Sequence, residues 1–124
     1  MLDGKTAGAQ ISDAENVDNS RHIVLALTAF NSPNFRIRIK GSITNDAPDF
    51  GAAQSETNQW EYIMAKDLND GSTINGSVGI SWAGTGSTRM VEVNTNGLKH
   101  FVVEVDNHVA GNAYVYSRRF SVNQ

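Results

Sequence analysis

Asp67-Leu68-Asn69-Asp70-Gly71-Ser72 sets carboxylate and amide oxygens at alternate positions ahead of a glycine, an order that suits oxygen ligation of calcium. A competent loop of the helix-flanked kind also needs an oxygen ligand at its fifth position and a bidentate glutamate at its twelfth. Those places hold Gly71 and Val78, so the motif fails twice. Asp and Asn side chains also bond to the backbone two residues on, and a structural turn is the reading favoured over a cation site at Asp67–Ser72.

The second group is cationic. Arg36, Arg38 and Lys40 alternate with apolar residues, which puts them on one side of a strand, and Arg118 and Arg119 would join them if the two strands were neighbours. Together the five make a candidate protein-docking face for an acidic surface. The plainer reading is the solvated side of a half-exposed strand, where charges also discourage unwanted pairing. Nucleic acid is the weakest option. No aromatic residue is interleaved for base stacking, and a formal net charge of -3 with an isoelectric point near 5.5 supplies no basic excess for phosphate.

The remaining polar chemistry is scattered. His22, His100 and His108 are too far apart in sequence for a local metal-ligand pair. No Gly-x-Ser-x-Gly elbow occurs, and Gly84-Thr85-Gly86 lacks the third glycine and the following helix of a phosphate cradle. Glu61 and Glu104 are the carboxylates a glycosidase pair would use, but nothing in the sequence sets their separation. The expectation is therefore no catalytic residue, no cofactor, no metal and no enzyme. Trp60 and Trp82, with Tyr62, Tyr114 and Tyr116 in support, are candidates for a glycan-stacking platform, against core packing as the commoner use of such rings.

The elements that must position these groups are strands. Phe35, Ile37 and Ile39 alternate with the cations, His22 to Leu27 is apolar at both parities, and Phe101, Val103 and Val105 repeat with a period of two. A strand apolar on both sides implies cover on both, by a neighbouring segment or a partner subunit. Gln59 to Lys66 reads as a strand with Trp60, Tyr62 and Met64 turned inward. Asn75-Gly76 reads as a two-residue hairpin, and Asn94-Thr95-Asn96-Gly97 as a hairpin between Met90–Val93 and Phe101–Val105. Asn31-Ser32-Pro33-Asn34 and Ala110-Gly111-Asn112 read as turns, and Arg118-Arg119 as a bulge in a last strand from Tyr114 to Val122. Asn45 to Asn58 is a long aperiodic loop that Phe50 would pin to the body.

Together these predict an all-β chain: a single antiparallel β-sandwich or jelly-roll-like domain of about eight short strands over residues 21–124. Residues 1–20 form a partly extended N-terminal segment, with Ala7, Ala9 and Ile11 hinting at a short strand. With 124 residues the chain is long enough for a core of its own. It holds no cysteine, which removes disulfide and thiolate chemistry and suits a reducing compartment. The opening Met1-Leu2-Asp3-Gly4-Lys5 lacks the charged-then-apolar order of a secretory signal, and no run approaches a membrane span of ~20 apolar residues. A soluble, unanchored protein is expected.

The order of motifs also carries a resemblance. Arg21-His22-Ile23-Val24, Asn34-Phe35-Arg36-Ile37-Arg38-Ile39-Lys40-Gly41-Ser42-Ile43, Ala47-Pro48-Asp49-Phe50 and Ala52-Ala53-Gln54-Ser55 resemble the opening of small β-sandwich structural proteins of tailed bacteriophages. The likeness continues through Trp60-Glu61-Tyr62-Ile63, Lys66-Asp67-Leu68-Asn69-Asp70-Gly71-Ser72 and Glu92-Val93-Asn94-Thr95-Asn96-Gly97-Leu98, and spans Arg21 to Phe120. It implies a non-enzymatic virion protein made in the host cytoplasm, foremost a capsid decoration (cement) protein. Its implied partners are other virion proteins, chiefly the major capsid protein, and further copies of itself in a homo-oligomer, with no nucleic acid and no membrane. The alternative is a carbohydrate-binding or receptor-binding β-sandwich module of a tail or fibre.

Overall fold

The alternation that runs through Phe35–Lys40 belongs to a strand much longer than the sequence suggests. The computed structural model describes residues 2–5, 10–12, 14–17 and 20–121, and its strands are β1 (Leu2–Lys5), β2 (Gln10–Ile11), β3 (Glu15–Asn16), β4 (Ser20–Ser42) and β5 (Glu61–Tyr62). They continue as β6 (Ala65–Asp67), β7 (Thr73–Ile74), β8 (Ile80–Ala83), β9 (Ser87–Asn94) and β10 (His100–Ser121). All pairing is antiparallel and there is no helix among the described residues, so the all-β expectation is borne out. In place of the about eight short strands expected over residues 21–124, the described residues hold seven there, β4 to β10, of which β4 and β10 span 23 and 22 residues.

β4 and β10 run side by side along their length and turn a corner together. Asn31 and Ser32 adopt positive φ (62° and 52°) in β4, while Asn107 (52°) and Gly111 (95°) do so in β10, where the register slips on either side of Ala110. Such residues bend a strand without ending it. The segments expected to be turns, Asn31–Asn34 and Ala110–Asn112, are thus corners through which the strands continue. Gly111 is required here: a Cβ on it would sit 2.5 Å from Pro33 Cα and 2.8 Å from the Phe30 carbonyl oxygen.

The corner divides one sheet into two layers. In the first, the early half of β4 lies between the late half of β10 and β9, and β9 continues to β6 and β7. In the second, the late half of β4 lies between the early half of β10 and the short β5 and β8. Ile23, Leu25, Leu27, Ala29, Val91, Val93, Ala113 and Val115 from the first layer share a core with Phe35, Ile37, Ile39, Ile80, Trp82, Phe101, Val103 and Val105 from the second. The bent sheet therefore closes on itself as a sandwich. β1, β2 and β3 pair along the outer edge of β10, and Val17, beyond β3, is fully buried in the same core. Ala7, Ala9 and Val122, named in the sequence reading, lie outside the described residues.

Two expected hairpins are corrected by this topology. β9 does not pair with Phe101–Val105 of β10, because β9 pairs with the early half of β4 in the first layer and that part of β10 with the late half of β4 in the second. Asn94–Gly97 instead carries the chain across the end of the sandwich, tied by Thr95 N–H to the Arg21 carbonyl (2.8 Å) and by Lys99 N–H to that of Ser42 (2.8 Å). Asn75-Gly76 likewise joins β7 in one layer to β8 in the other, with the Asn75 carbonyl accepting from Gly79 N–H at 2.9 Å. The bulge expected at Arg118-Arg119 falls instead between Phe120 and Ser121.

Candidate functional site

The cations of β4 meet an acidic row. β10 carries Glu104 and Asp106 in alternation with its core residues Val103 and Val105, and the register sets Arg36 opposite Asp106 and Arg38 opposite Glu104 on the outside of the second layer. Arg36 grips Asp106 with two bonds, Nε to Oδ1 at 2.9 Å and Nη2 to Oδ2 at 2.6 Å. Arg38 Nη2 donates to both Glu104 (2.9 Å) and Asp106 (2.8 Å). Lys40 Nζ reaches Glu104 Oε2 at 2.8 Å and donates to the Phe50 carbonyl at 2.8 Å. The Arg36 guanidinium holds the Asp106 carboxyl below the usual carboxylate range, against the opposing effect of burial, and Asp106 in turn raises Arg36.

Aromatic rings roof this ladder. The Arg38 guanidinium lies 4.2 Å from the Tyr62 ring centre and Lys40 Nζ 4.0 Å from that of Trp60, both cation–π distances. Trp60 meets Tyr62 edge-on at 5.1 Å and donates its indole N–H to the Ala52 carbonyl at 2.9 Å. The loop before Trp60 is held down by buried Phe50, as its sequence suggested. Lys40 ends only 4% exposed, an unusual place for lysine that its three kinds of partner make tolerable.

This arrangement corrects the orientation expected of Gln59–Lys66. Trp60 and Tyr62 are half-buried on the outside, Met64 is 58% exposed, and Ile63 and Ala65 take the inward positions. The stretch is also two short strands, not one. The physical reason is the charge ladder, which needs a cover that can present aromatic faces to cations. The signal was in the sequence: Glu104 and Asp106 alternate with the same period as the cations and match them in sign.

The five cations proposed as a docking face are divided. Arg36, Arg38 and Lys40 are engaged with Glu104, Asp106 and the rings. Arg118 and Arg119 lie past the corner in the first layer, exposed, opposite Val24 and Ile23. Trp60 and Trp82 share no surface either. Trp82 is 5% exposed, packs on Phe35 at 5.5 Å between ring centres and donates to Ser87 Oγ at 3.0 Å.

At Asp67–Ser72 the oxygens are used locally. Asp67 is buried and paired with Arg89, and its carboxylate also accepts Asn69 N–H at 2.8 Å. Asp70 accepts Ser72 N–H at 2.9 Å, and Gly71 N–H returns to the Asp67 carbonyl at 2.8 Å. The Arg89 guanidinium and the Asn69 N–H hold Asp67 below the ordinary range, and Ser72 does the same for Asp70. The histidines stay apart, each near its own partner: Glu92 at 3.5 Å for His22, the Asn45 carbonyl at 3.1 Å for His100 and the Gly111 carbonyl at 2.8 Å for His108. Glu104 faces Arg38 and Lys40 whereas Glu61 is exposed and accepts Tyr62 N–H, so the two form no acid pair across a cleft.

No protein-family description and no curated protein matches the sequence. A solved structure does match. The crystal structure of the SPBc2 prophage-derived protein YomS superposes with a TM-score of 0.63 at 10% identity, covering 91% of this chain and 83% of that one. The fold resembles that of a prophage-derived protein. The likeness extends over nearly the whole sandwich, so it concerns the arrangement of both layers and not a shared hairpin, and at this identity it speaks to fold.

Two further surfaces complete the description. Beside Trp60, a groove of about 350 Å³ is lined by Ile43, Gln54, Gln59, Trp60, Glu61 and Leu98 among others. On the outside of the first layer, Val24 and Ala26 of the doubly apolar strand are half-buried between exposed Met90 and Tyr116.

Proposed function

We propose that this chain is a non-enzymatic structural component of a phage virion and, more narrowly, a capsid decoration protein that binds coat subunits. The observation that carries the reading is the likeness of the fold, over nine-tenths of the chain, to a prophage-derived protein. The chemistry of the described residues agrees with a binding role. The charges that could have served catalysis are tied to one another in the ladder and the Asp67 turn. In this reading the protein is made in the host cytoplasm, resides in the virion, and contacts the major capsid protein and further copies of itself.

Peptide mass spectrometry of purified particles, with heads and tails separated, tests both levels. The chain is expected in the head fraction at a stoichiometry commensurate with the coat subunit. Its confinement to tails would overturn the decoration role, and its absence from particles would overturn the virion role.

The groove beside Trp60 favours one second reading, a carbohydrate-binding or receptor-binding module of a tail or fibre. An aromatic ring beside amide and carboxylate side chains suits the apolar and hydroxyl faces of a sugar. A glycan array silent for the native protein would exclude it; binding lost in Trp60→Ala would favour it.

A further inference from the structure

Four of the eight exposed large hydrophobic side chains among the described residues gather on the outside of the first layer: Phe30, Leu68, Met90 and Tyr116, between 43% and 60% exposed. The register aligns them. Leu68 N–H bonds to the Met90 carbonyl at 3.0 Å, Met90 pairs with Ala26, and Ala26 with Tyr116, so an apolar belt crosses β6, β9, β4 and β10. One step along the strands, Thr28 lies between Thr88 and Tyr114, and Phe30 meets Tyr114 edge-on at 6.0 Å. One step the other way runs a charged row, Lys66, Glu92, Val24 and Arg118. Four strands about 4.8 Å apart and seven residues of rise near 3.3 Å each outline a face of roughly 400 Å² before its corrugation is counted. Two such faces together bury about 800 Å², below the ~1,200 Å² of a standard stable interface and suited to a weak, reversible pairing.

We propose that this face is the contact between two copies of the chain, packed sheet against sheet about a two-fold axis that runs along β4. The order of residues across the sheet carries the choice of a second copy as occupant. β9 and β10 flank β4, so the rotation sets each strand of one copy over the other strand of its mate. Glu92 then faces Arg118 of the second copy, Met90 faces its Tyr116, and each of these contacts occurs twice. Opposite charges meet, and a thioether meets an aromatic ring. Ala26, the smallest side chain of the belt, lies on the axis and lets the layers approach to the ~10 Å of packed sheets. An axis between β9 and β4 would instead set Lys66 over Arg118, like charge on like. The inference deepens the homo-oligomer part of the proposed function and is independent of the virion part.

Sedimentation velocity of the full chain from 1 to about 200 µM tests it, on a range chosen for an interface of this size. A reversible dimer is expected. Ala26→Arg, which opposes two cations on the axis, should raise the dissociation constant at least tenfold, an effect of like-charge contact. Met90→Glu serves in its place if that variant fails to fold, which circular dichroism reports. Glu92→Arg and Arg118→Glu should each weaken the dimer and together restore it, because the rotation makes them partners. Val78→Glu, at an exposed apolar residue outside the face, should change nothing. A chain that stays monomeric throughout, a dimer indifferent to Ala26→Arg and Met90→Glu, or a double reversal that fails to restore association would each overturn the proposal. So would a glycan or an unlike protein bound at this face by a monomer. A dimer formed by a chain that is absent from particles would leave this inference standing and remove only the virion reading.

Discussion

Replacing Glu104 by leucine should destabilise the fold more than any change at an exposed charge. Its side chain is 12% exposed and accepts from both Arg38 and Lys40, themselves 14% and 5% exposed. Removing one member of a buried ion pair typically costs 3–5 kcal/mol because the other charge is left without a partner. Here Arg38 keeps Asp106, and Lys40 keeps the Phe50 carbonyl and the Trp60 ring, so the lower end applies, about 3 kcal/mol. Unfolding entropy for a chain of this length is roughly 0.26 kcal/mol/K, which converts that loss to a fall in melting temperature of about 11 °C. Lys40→Met alone should cost about 2 kcal/mol, since Glu104 retains Arg38. The two together should cost less than their sum by at least about 1 kcal/mol, because neither leaves the other's charge stranded. Urea denaturation of the four proteins in the cycle measures this directly. Additivity within about 0.5 kcal/mol, or a cost for Glu104→Leu below about 1 kcal/mol, would refute the coupled ladder.

Other outcomes follow from the same geometry. The Asp106 carboxyl is held below its ordinary value of about 3.9, so its contribution is complete above that pH and is lost as pH falls through the lower folded-state value. The urea-midpoint gap between the native chain and Asp106→Asn should therefore be widest near neutrality and narrow steadily in acid; a gap that widens in acid would contradict the assignment. Gly111→Ala should destabilise by at least about 2 kcal/mol, because a positive φ is compounded by contact with the Pro33 backbone, whereas Gly97→Ala, at φ 92° with nothing within 4 Å, should cost about 1 kcal/mol. Equal losses at the two glycines, measured by thermal unfolding, would mean that the corner is not tightly packed.

The class of fold was legible because burial leaves its mark at every second residue. Phe35, Ile37 and Ile39 face the core just as their alternation requires, and Phe101, Val103 and Val105 do the same. What local reading missed was continuity. Asn31-Ser32-Pro33 and Gly111 are good turn residues, and a corner uses the same positive φ as a reversal, so only long-range pairing distinguishes a bent strand from two strands and a turn. The two supposed hairpins failed for a related reason. Asn75-Gly76 and Asn94–Gly97 do turn the chain, but into the other layer, because the hydrogen-bonding edges of β4 are taken by different partners on either side of its corner.

The candidate site was half legible. The basic row stood out in Arg36, Arg38 and Lys40, yet its solvated appearance concealed an acidic row one strand away and an aromatic roof that arrives from a loop. Trp60 and Tyr62 looked like core by composition, since rings and large apolar residues usually are. They face outward over cations because the ladder beneath them is itself buried. The doubly apolar run His22–Leu27 marks the strand whose outer side lies in the face proposed above for a second copy. Its outward residue Ala26 forms the middle of the belt whose exposed ends are Leu68 and Tyr116, and Val24 lies one step along in the charged row.

The central claim, a structural role in the virion, meets its most direct test in a density map of the native particle whose genome encodes this chain. The two-layered sandwich, recognisable by its corner strands β4 and β10, is expected on the outside of the head shell in contact with coat subunits. A map in which every protein density of head and tail is assigned without this sandwich would contradict it.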